Sequence, residues 1–172
     1  MKVMKFGGTS VGSPERMKHV AHLVTKSGEP TFVVLSAMAG TTNSLIEISN
    51  YLYKKNPEGA NEVINLLEAK YFGHVDELYS TDEYKSITRD FLRQEFQYLR
   101  SFTKELFTSF EEKSIVAQGE IISTNMVVNY LKETGINAIL LSAFDFMRTD
   151  KNSEPDSEYI KEKLANVRSE EH

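Results

Sequence analysis

The chain has 172 residues, of which 40% are hydrophobic and 26% charged, a composition that is typical of folded globular proteins and excludes intrinsic disorder. It has no cysteine, which excludes a disulfide framework, cysteine catalysis and a cysteine-bound metal. A net charge of −5 disfavours nucleic-acid binding. The sequence has no apolar signal region and no apolar run near the ~20 residues of a membrane span, so we expect a cytoplasmic protein. Its length predicts one domain.

The first third of the chain predicts two strands that each lead into a glycine-containing loop and a helix. Residues 3–6 predict a short buried strand, and Ser13-Pro14 predicts a helix start, because serine caps helices and proline suits their first position. Residues 31–35 are almost continuously apolar and predict a strand covered on both faces, followed by a helix over about 42–53. Both loops should face the same crevice, since ligands bind outside the carboxyl ends of strands in α/β sheets.

The remaining two thirds of the chain predict mainly helices. Two long helical patterns occupy residues 58–110, and we expect this helical insertion, about 58–111, to form a lid or a rim of the domain. A helix over about 114–132 ends before Gly135, which suits a helix C-terminus. Residues 136–142 predict a third strand, and residues 156–167 predict a last amphipathic helix. The order of elements is that of an α/β fold.

The first glycine-rich loop has the residues needed to bind phosphate. Lys5 supplies a fixed cation, while Gly7 and Gly8 let the backbone approach an anion closely. The helix that follows adds unpaired N–H groups and the positive end of its dipole. The spacing matches neither G-x-x-x-x-G-K-[ST] nor G-x-G-x-x-G, so neither of these two phosphate fingerprints accounts for it.

Three stretches in chain order resemble motifs of the aspartate kinases, which belong to the amino-acid kinases. They are Lys5-Phe6-Gly7-Gly8-Thr9-Ser10, Leu35-Ser36-Ala37-Met38-Ala39-Gly40-Thr41-Thr42-Asn43 and Gln118-Gly119-Glu120-Ile121-Ile122-Ser123. The resemblance implies a three-layer α/β sandwich of the carbamate kinase-like type, with residues 1–172 forming the phosphate-loop and acceptor-binding part. It also implies transfer of the γ-phosphoryl group of ATP to the side-chain carboxylate of L-aspartate, the first step towards lysine, threonine and methionine. Mg2+ is implied by the ATP chemistry.

The resemblance also assigns roles to individual residues. The nucleotide would be bound by residues of the first loop, with Lys5 also catalytic: Lys5, Phe6, Gly7, Gly8, Thr9 and Ser10. The acceptor would be bound by Ser36, Thr42 and Glu120. Each has a plainer interpretation: Lys5 as a solvated lysine, Thr9 and Ser10 as caps of their own turn, Thr42 as a helix cap, and Glu120 in a surface salt bridge.

The resemblance covers only the amino-terminal part of an aspartate kinase, without the downstream Gly-Gly-Ser-Asp motif. We therefore expect a truncated kinase domain that is inactive alone, from an enzyme that forms a homo-oligomer. The alternatives are another amino-acid kinase with a different small acceptor, and a non-catalytic module that binds an anion or a partner. Ser36 lacks the context of a hydrolase nucleophile, and His19 and His22 lack a third metal ligand in the sequence.

Overall fold

The computed structural model describes residues 2–104 and 106–170, and side chains as far as residue 166. The chain divides into two compact units, residues 1–138 and residues 139–172. The first unit contains strands β1 (Lys2–Phe6) and β2 (Thr31–Leu35), helices α1 (Pro14–Thr25), α2 (Thr41–Tyr53), α3 (Pro57–Leu78), α4 (Asp82–Ser101), α5 (Ser109–Val116) and α6 (Gln118–Glu133), and a 3-10 turn (Phe102–Lys104). The second contains α7 (Ala143–Phe146) and α8 (Ser157–Glu170).

The two strands pair in parallel, and their sheet is covered on one face only. Met4, Phe6 and Val33 pack against the core, and β2 contacts α1 and α6. On the opposite face Val3 is 67% exposed and Val34 is 41% exposed. The predicted strand positions are confirmed, but the predictions that residues 3–6 are buried and that residues 31–35 are covered on both faces are wrong. Apolar residues on both faces of a strand favour burial of both faces. In this unit no described element packs against the second face of the sheet.

The segment over residues 136–142, predicted as a third strand, forms no strand, so this prediction is wrong. The sheet of the described residues contains only β1 and β2. Gly135 does end α6, with φ of +80°, and the N–H of Ile136 turns back to the Leu131 carbonyl oxygen at 2.9 Å. A strand exists only where its backbone groups pair with a neighbour, and β propensity cannot supply that neighbour.

Helices α3 and α4 belong to the centre of the core, so the prediction of a lid or rim is wrong. Ile64 and Tyr71 of α3 and Phe96 of α4 are fully buried. Helix α3 packs against α1, α2 and α4, and α4 packs against α6. Helical spacing of apolar residues shows that one face of a helix is buried, but it does not show which element covers that face.

The helix predicted over residues 114–132 is two helices that meet at Ala117. Helix α5 begins earlier than predicted, with a capping box in which Thr108 and Glu111 satisfy each other's backbone groups. The start of α1 is as predicted, since the Ser13 side chain accepts a hydrogen bond from the N–H of Arg16 at 3.3 Å. None of the helices in the described ranges is both long and apolar enough to cross a membrane.

Candidate functional site

The two glycine loops are hydrogen-bonded to each other at the carboxyl ends of β1 and β2. Loop 1 comprises residues 7–13 and loop 2 comprises residues 36–40. The N–H of Ser36 donates to the Phe6 carbonyl oxygen at 3.1 Å, and the N–H of Ala39 donates to the Gly8 carbonyl oxygen at 3.1 Å. A Cβ atom on Gly8 would lie 2.8 Å from the carbonyl oxygen of Ala37, so only glycine fits this approach. The prediction that the two loops lie next to each other is confirmed.

Lys5 is an exposed cation on the uncovered face of the sheet, one residue before the end of β1. Its neighbour in the sheet is Val34. Within the described ranges it has no hydrogen bond and no ion pair, whereas Lys2 on the same strand pairs with Glu29 at 3.1 Å. Lys5 is therefore free to meet an anion at this end of the sheet.

Loop 1 is held in shape by its own backbone and by a side chain of α1. The N–H of Ser10 donates to the Gly7 carbonyl oxygen at 2.9 Å, and Arg16 Nη1 donates to the Thr9 carbonyl oxygen at 2.5 Å. In the described part of the chain, neither the N–H groups of Gly8 and Thr9 nor the hydroxyls of Thr9 and Ser10 form a hydrogen bond. The turn-capping interpretation of those two hydroxyls is wrong, and they are available as donors.

Glu120 lies in the first turn of α6, directly beside loop 2. Its Oε1 accepts a hydrogen bond from the N–H of Ala37 at 3.4 Å, and no described residue forms an ion pair with it. A Cβ atom on Gly119 would lie 2.7 Å from the Ala37 Cβ, so the missing side chain of Gly119 lets α6 approach the loop this closely. The surface salt bridge considered for Glu120 is wrong, because the carboxylate instead meets the loop backbone.

Ser36 begins loop 2, and Thr42 lies two residues beyond its end, in α2. Thr42 is half-buried in the first turn of α2, but the N-cap of that helix is Gly40 with φ of +84°, so the interpretation of Thr42 as a cap is wrong. Ser36 is half-buried, and its carbonyl oxygen accepts a hydrogen bond from Ser123 Oγ at 2.7 Å. The structure thus brings Ser36 and Glu120 to one loop and leaves the Thr42 hydroxyl without a partner in the described ranges.

A buried pair of hydroxyls that the sequence did not reveal lies next to these residues. The hydroxyls of Thr41 and Tyr71 lie 2.6 Å apart and share a hydrogen bond, and both residues are fully buried. Burial raises the pKa of Tyr71 to about 12, and the nearby charge of Glu120 acts in the same direction. One signal was present: a tyrosine in a buried apolar stripe needs a partner for its hydroxyl.

No cluster of three or more histidine, aspartate or glutamate side chains suited to a metal occurs in residues 2–104 and 106–170. His19 and His22 are both exposed on α1. Among the residues predicted to form the site, Glu120 is the one carboxylate, and it already accepts a hydrogen bond from the N–H of Ala37. The described residues suit a phosphate group far better than they suit a metal ion held by protein ligands.

Comparison with known proteins identifies the family. The sequence profile of the amino acid kinase family matches residues 1–171. The chain belongs to this family. It is 35% identical over 153 residues to aspartokinase 1, chloroplastic, of Arabidopsis thaliana, covering 86% of this chain and 26% of that protein. It is 53% identical over 53 residues to an aspartate kinase of Pseudomonas putida, covering 29% of this chain and 13% of that protein.

Solved structures agree with the family assignment. The fold superposes with a TM-score of 0.80 on Escherichia coli aspartokinase III in complex with aspartate and ADP, at 26% identity, covering 96% of this chain and 37% of that one. It also resembles the Clostridium acetobutylicum aspartate kinase, with a TM-score of 0.73 at 19% identity. The α/β fold of the amino-acid kinases is therefore confirmed, and this chain spans between 13% and 37% of the length of these relatives.

Proposed function

We propose that the native protein containing this chain phosphorylates the side-chain carboxylate of L-aspartate with ATP, giving 4-phospho-L-aspartate. The observation that carries the proposal is the meeting of two glycine loops and the N-terminus of α6, with a free cation on the strand before the first loop and a carboxylate bound to the backbone of the second. The relatives named as aspartokinases favour aspartate as the acceptor. The reaction would be the first step towards lysine, threonine and methionine.

The phosphates of ATP are assigned to loop 1. The free N–H groups of Gly8 and Thr9 supply donors, and Gly7 leaves the backbone open beside them. Phe6 ends the strand that holds the loop in place, and the Ser10 hydroxyl is a further donor. Lys5 would stabilise the charge that shifts between β- and γ-phosphate oxygens during transfer.

The amino-acid acceptor is assigned to loop 2 and the start of α6. A substrate carboxylate is already ionised at neutral pH, so the reaction needs no general base and depends on alignment. We assign Glu120 to the substrate ammonium, since its 3.4 Å hydrogen bond from Ala37 is long and readily exchanged for a charged partner. Ser36 and Thr42 would add polar contacts to the same molecule.

Mg2+ would accompany ATP and shield the charge of its phosphates. The described residues provide no carboxylate cluster to hold the ion, so we assign no protein ligand to it. We further propose that residues 1–172 are the phosphate-loop and acceptor-binding part of the kinase domain, with residues 58–111 as its helical insertion. A homo-oligomeric assembly and a cytoplasmic location are also proposals for the native protein.

Trapping the product as a hydroxamate tests the reaction. The native protein is incubated with ATP, Mg2+, aspartate and hydroxylamine, and acyl hydroxamate is measured alongside ADP. We expect aspartate-dependent turnover of ~1–100 per second, as is common for kinases. Glutamate and carbamate replace aspartate as controls. Faster turnover with either would indicate another amino-acid kinase, and the absence of turnover with all three would favour a binding module.

The isolated 172-residue chain is the second arm of this test. The part that it matches is 26% of aspartokinase 1 and 37% of aspartokinase III. We expect no aspartate-dependent ADP release from it. Turnover equal to that of the native protein would contradict the proposed division of the site.

A further inference from the structure

We propose that Tyr71 of α3 is a positioning residue for the acceptor side of the site, acting through Thr41 at the start of α2. This inference rests on the proposed function. It assigns a role to the helical insertion, which the proposed chemistry does not otherwise use. The hydrogen bond of the Tyr71 hydroxyl is made with Thr41, so its effect on a ligand would be indirect.

Thr41 is the first residue of α2 and follows the left-handed Gly40. Helix α2 has no side-chain N-cap, because its N-cap residue is glycine. The side chain of Thr41 instead reaches α3, where its hydroxyl shares a 2.6 Å hydrogen bond with the Tyr71 hydroxyl. The position of this helix start is therefore fixed from the neighbouring helix rather than by a local cap.

Thr41 also packs against the start of α6. Its Cγ2 atom lies 3.5 Å from the place where a Cβ atom on Gly119 would be. Thr42 and Glu120, the two residues next to this contact in the chain, are assigned to the acceptor. A shift of Thr41 would therefore be transmitted to both of them, because packed contacts do not deform continuously.

The Tyr71 hydroxyl is suited to holding a position and not to moving a proton. A phenol is already neutral at physiological pH with its ordinary pKa of 10.0, and burial raises the pKa of Tyr71 further, to about 12. The ring is fixed as well, since it packs against the ring of Phe96 with a centroid separation of 6.0 Å. A rigid aromatic side chain loses little entropy when it orders a neighbour.

Tyr71→Phe in the native protein tests the proposal, with Tyr79→Phe as a matched control. Tyr79 is also buried at the end of α3, and its hydroxyl donates to the Met126 carbonyl oxygen at 2.7 Å. The Tyr79 hydroxyl also has a side-chain hydrogen bond with Thr88, so we expect Tyr79→Phe to lower the melting temperature at least as much as Tyr71→Phe. Only Tyr71→Phe should raise the KM for aspartate, by about three- to tenfold, with the KM for ATP unchanged.

A second pair of variants guards against a purely structural explanation. Thr41→Val keeps the Cγ2 methyl group that faces Gly119 and removes only the hydroxyl, so it should reproduce the KM change of Tyr71→Phe. The double variant Tyr71→Phe with Thr41→Val should be no worse than either single variant, because both remove the same bond. Additive losses, or equal KM changes in Tyr71→Phe and Tyr79→Phe, would overturn the positioning role.

Amide exchange separates this inference from the proposed function. The N–H groups of Thr41 and Ser44 donate to the carbonyl oxygens of Met38 and Gly40, at 3.0 and 3.2 Å. Tyr71→Phe should speed exchange of these two amides several-fold relative to Tyr79→Phe, whether or not the protein phosphorylates aspartate. Unchanged exchange would refute the role of Tyr71. An absence of aspartate kinase activity in the unmodified protein would refute the proposed function and the link to aspartate, while faster exchange would still show that Tyr71 positions the start of α2.

Discussion

The loop end of the first unit and its helical body differ in where their unpaired polar groups lie. In the helical body the Tyr79 hydroxyl has a partner, and Glu133 Oε1 accepts from the N–H groups of Ser80 and Thr81 at 2.9 and 2.8 Å. Two atoms there that lack a partner in the described ranges, His74 Nε2 and Glu133 Oε2, are enclosed and out of reach of a ligand. At the loop end Lys5 and several donors of loop 1 have no partner in the described ranges. Folded chains pair their polar groups wherever they can, so unpaired donors grouped at one end mark the surface at which a ligand would complete them.

The first way to break this comparison is to remove the free cation. Lys5→Met in the native protein should lower kcat by ~10²–10³-fold, because it removes one electrostatic donor to the transferred phosphate. The melting temperature should not change, since no described residue depends on this side chain. Lys2→Met is the control on the same strand, and we expect kcat within about twofold of the unmodified protein. Equal effects of the two substitutions would show that Lys5 is an ordinary surface lysine.

The second test contrasts two carboxylates on α6. Glu120→Gln should reduce kcat/KM for aspartate more than ~10-fold and leave the KM for ATP unchanged, because we place this charge against the substrate ammonium. Glu133→Gln, at the other end of the helix, should lower the melting temperature and leave both KM values unchanged. If Glu120→Gln behaves like Glu133→Gln, then Glu120 has a structural role.

The third test contrasts two glycines. Gly119→Ala places a Cβ atom 2.7 Å from the Ala37 Cβ and should destabilise the fold by ~1–3 kcal/mol, with weaker aspartate binding. Gly73 of α3 has nothing within 4 Å of the same position, so Gly73→Ala should stabilise by ~0.4–1 kcal/mol. Urea titrations of both variants measure the two values. A neutral Gly119→Ala would mean that α6 is not held closely against loop 2.

The smallest expected effect concerns a histidine of the helical body. Burial lowers the pKa of His74 below its usual 6.5, Lys70 acts in the same direction, and Glu77 opposes them. A lowered pKa means that stability is fully present above pH 6.5 and is lost as the pH falls through the folded-state pKa. The melting temperature should therefore fall between pH ~7.5 and pH ~5, and by less in His74→Gln. An identical fall in both proteins would exclude His74 as the cause.

Local signals in the sequence predict the loop end well. Ser13-Pro14 has the chemistry of a helix start, and the glycines mark where two backbones approach closely, so each signal lies within a few residues of its structural result. The neighbourhood of the loops follows from one further rule, that parallel strands carry their carboxyl ends to the same edge.

The helical body could not be predicted in the same way. The burial of α3 depends on three other helices, and the hydrogen bond between Thr41 and Tyr71 joins residues 30 positions apart. The absent strand over residues 136–142 has the same cause, because a strand requires a partner that its own residues do not encode. Long-range pairing decides each of these features.

The hydrogen bonds between the loops have a consequence for protein engineering. The Phe6 and Gly8 carbonyl oxygens accept hydrogen bonds from the Ser36 and Ala39 N–H groups. Two backbone hydrogen bonds therefore connect the chain around loop 1 to loop 2. An insertion or deletion between the two bonded positions of either loop would break one of these hydrogen bonds. Loops transplanted from another kinase should therefore be exchanged together. If only one loop is exchanged, we expect its backbone groups to be out of register with those of the other loop.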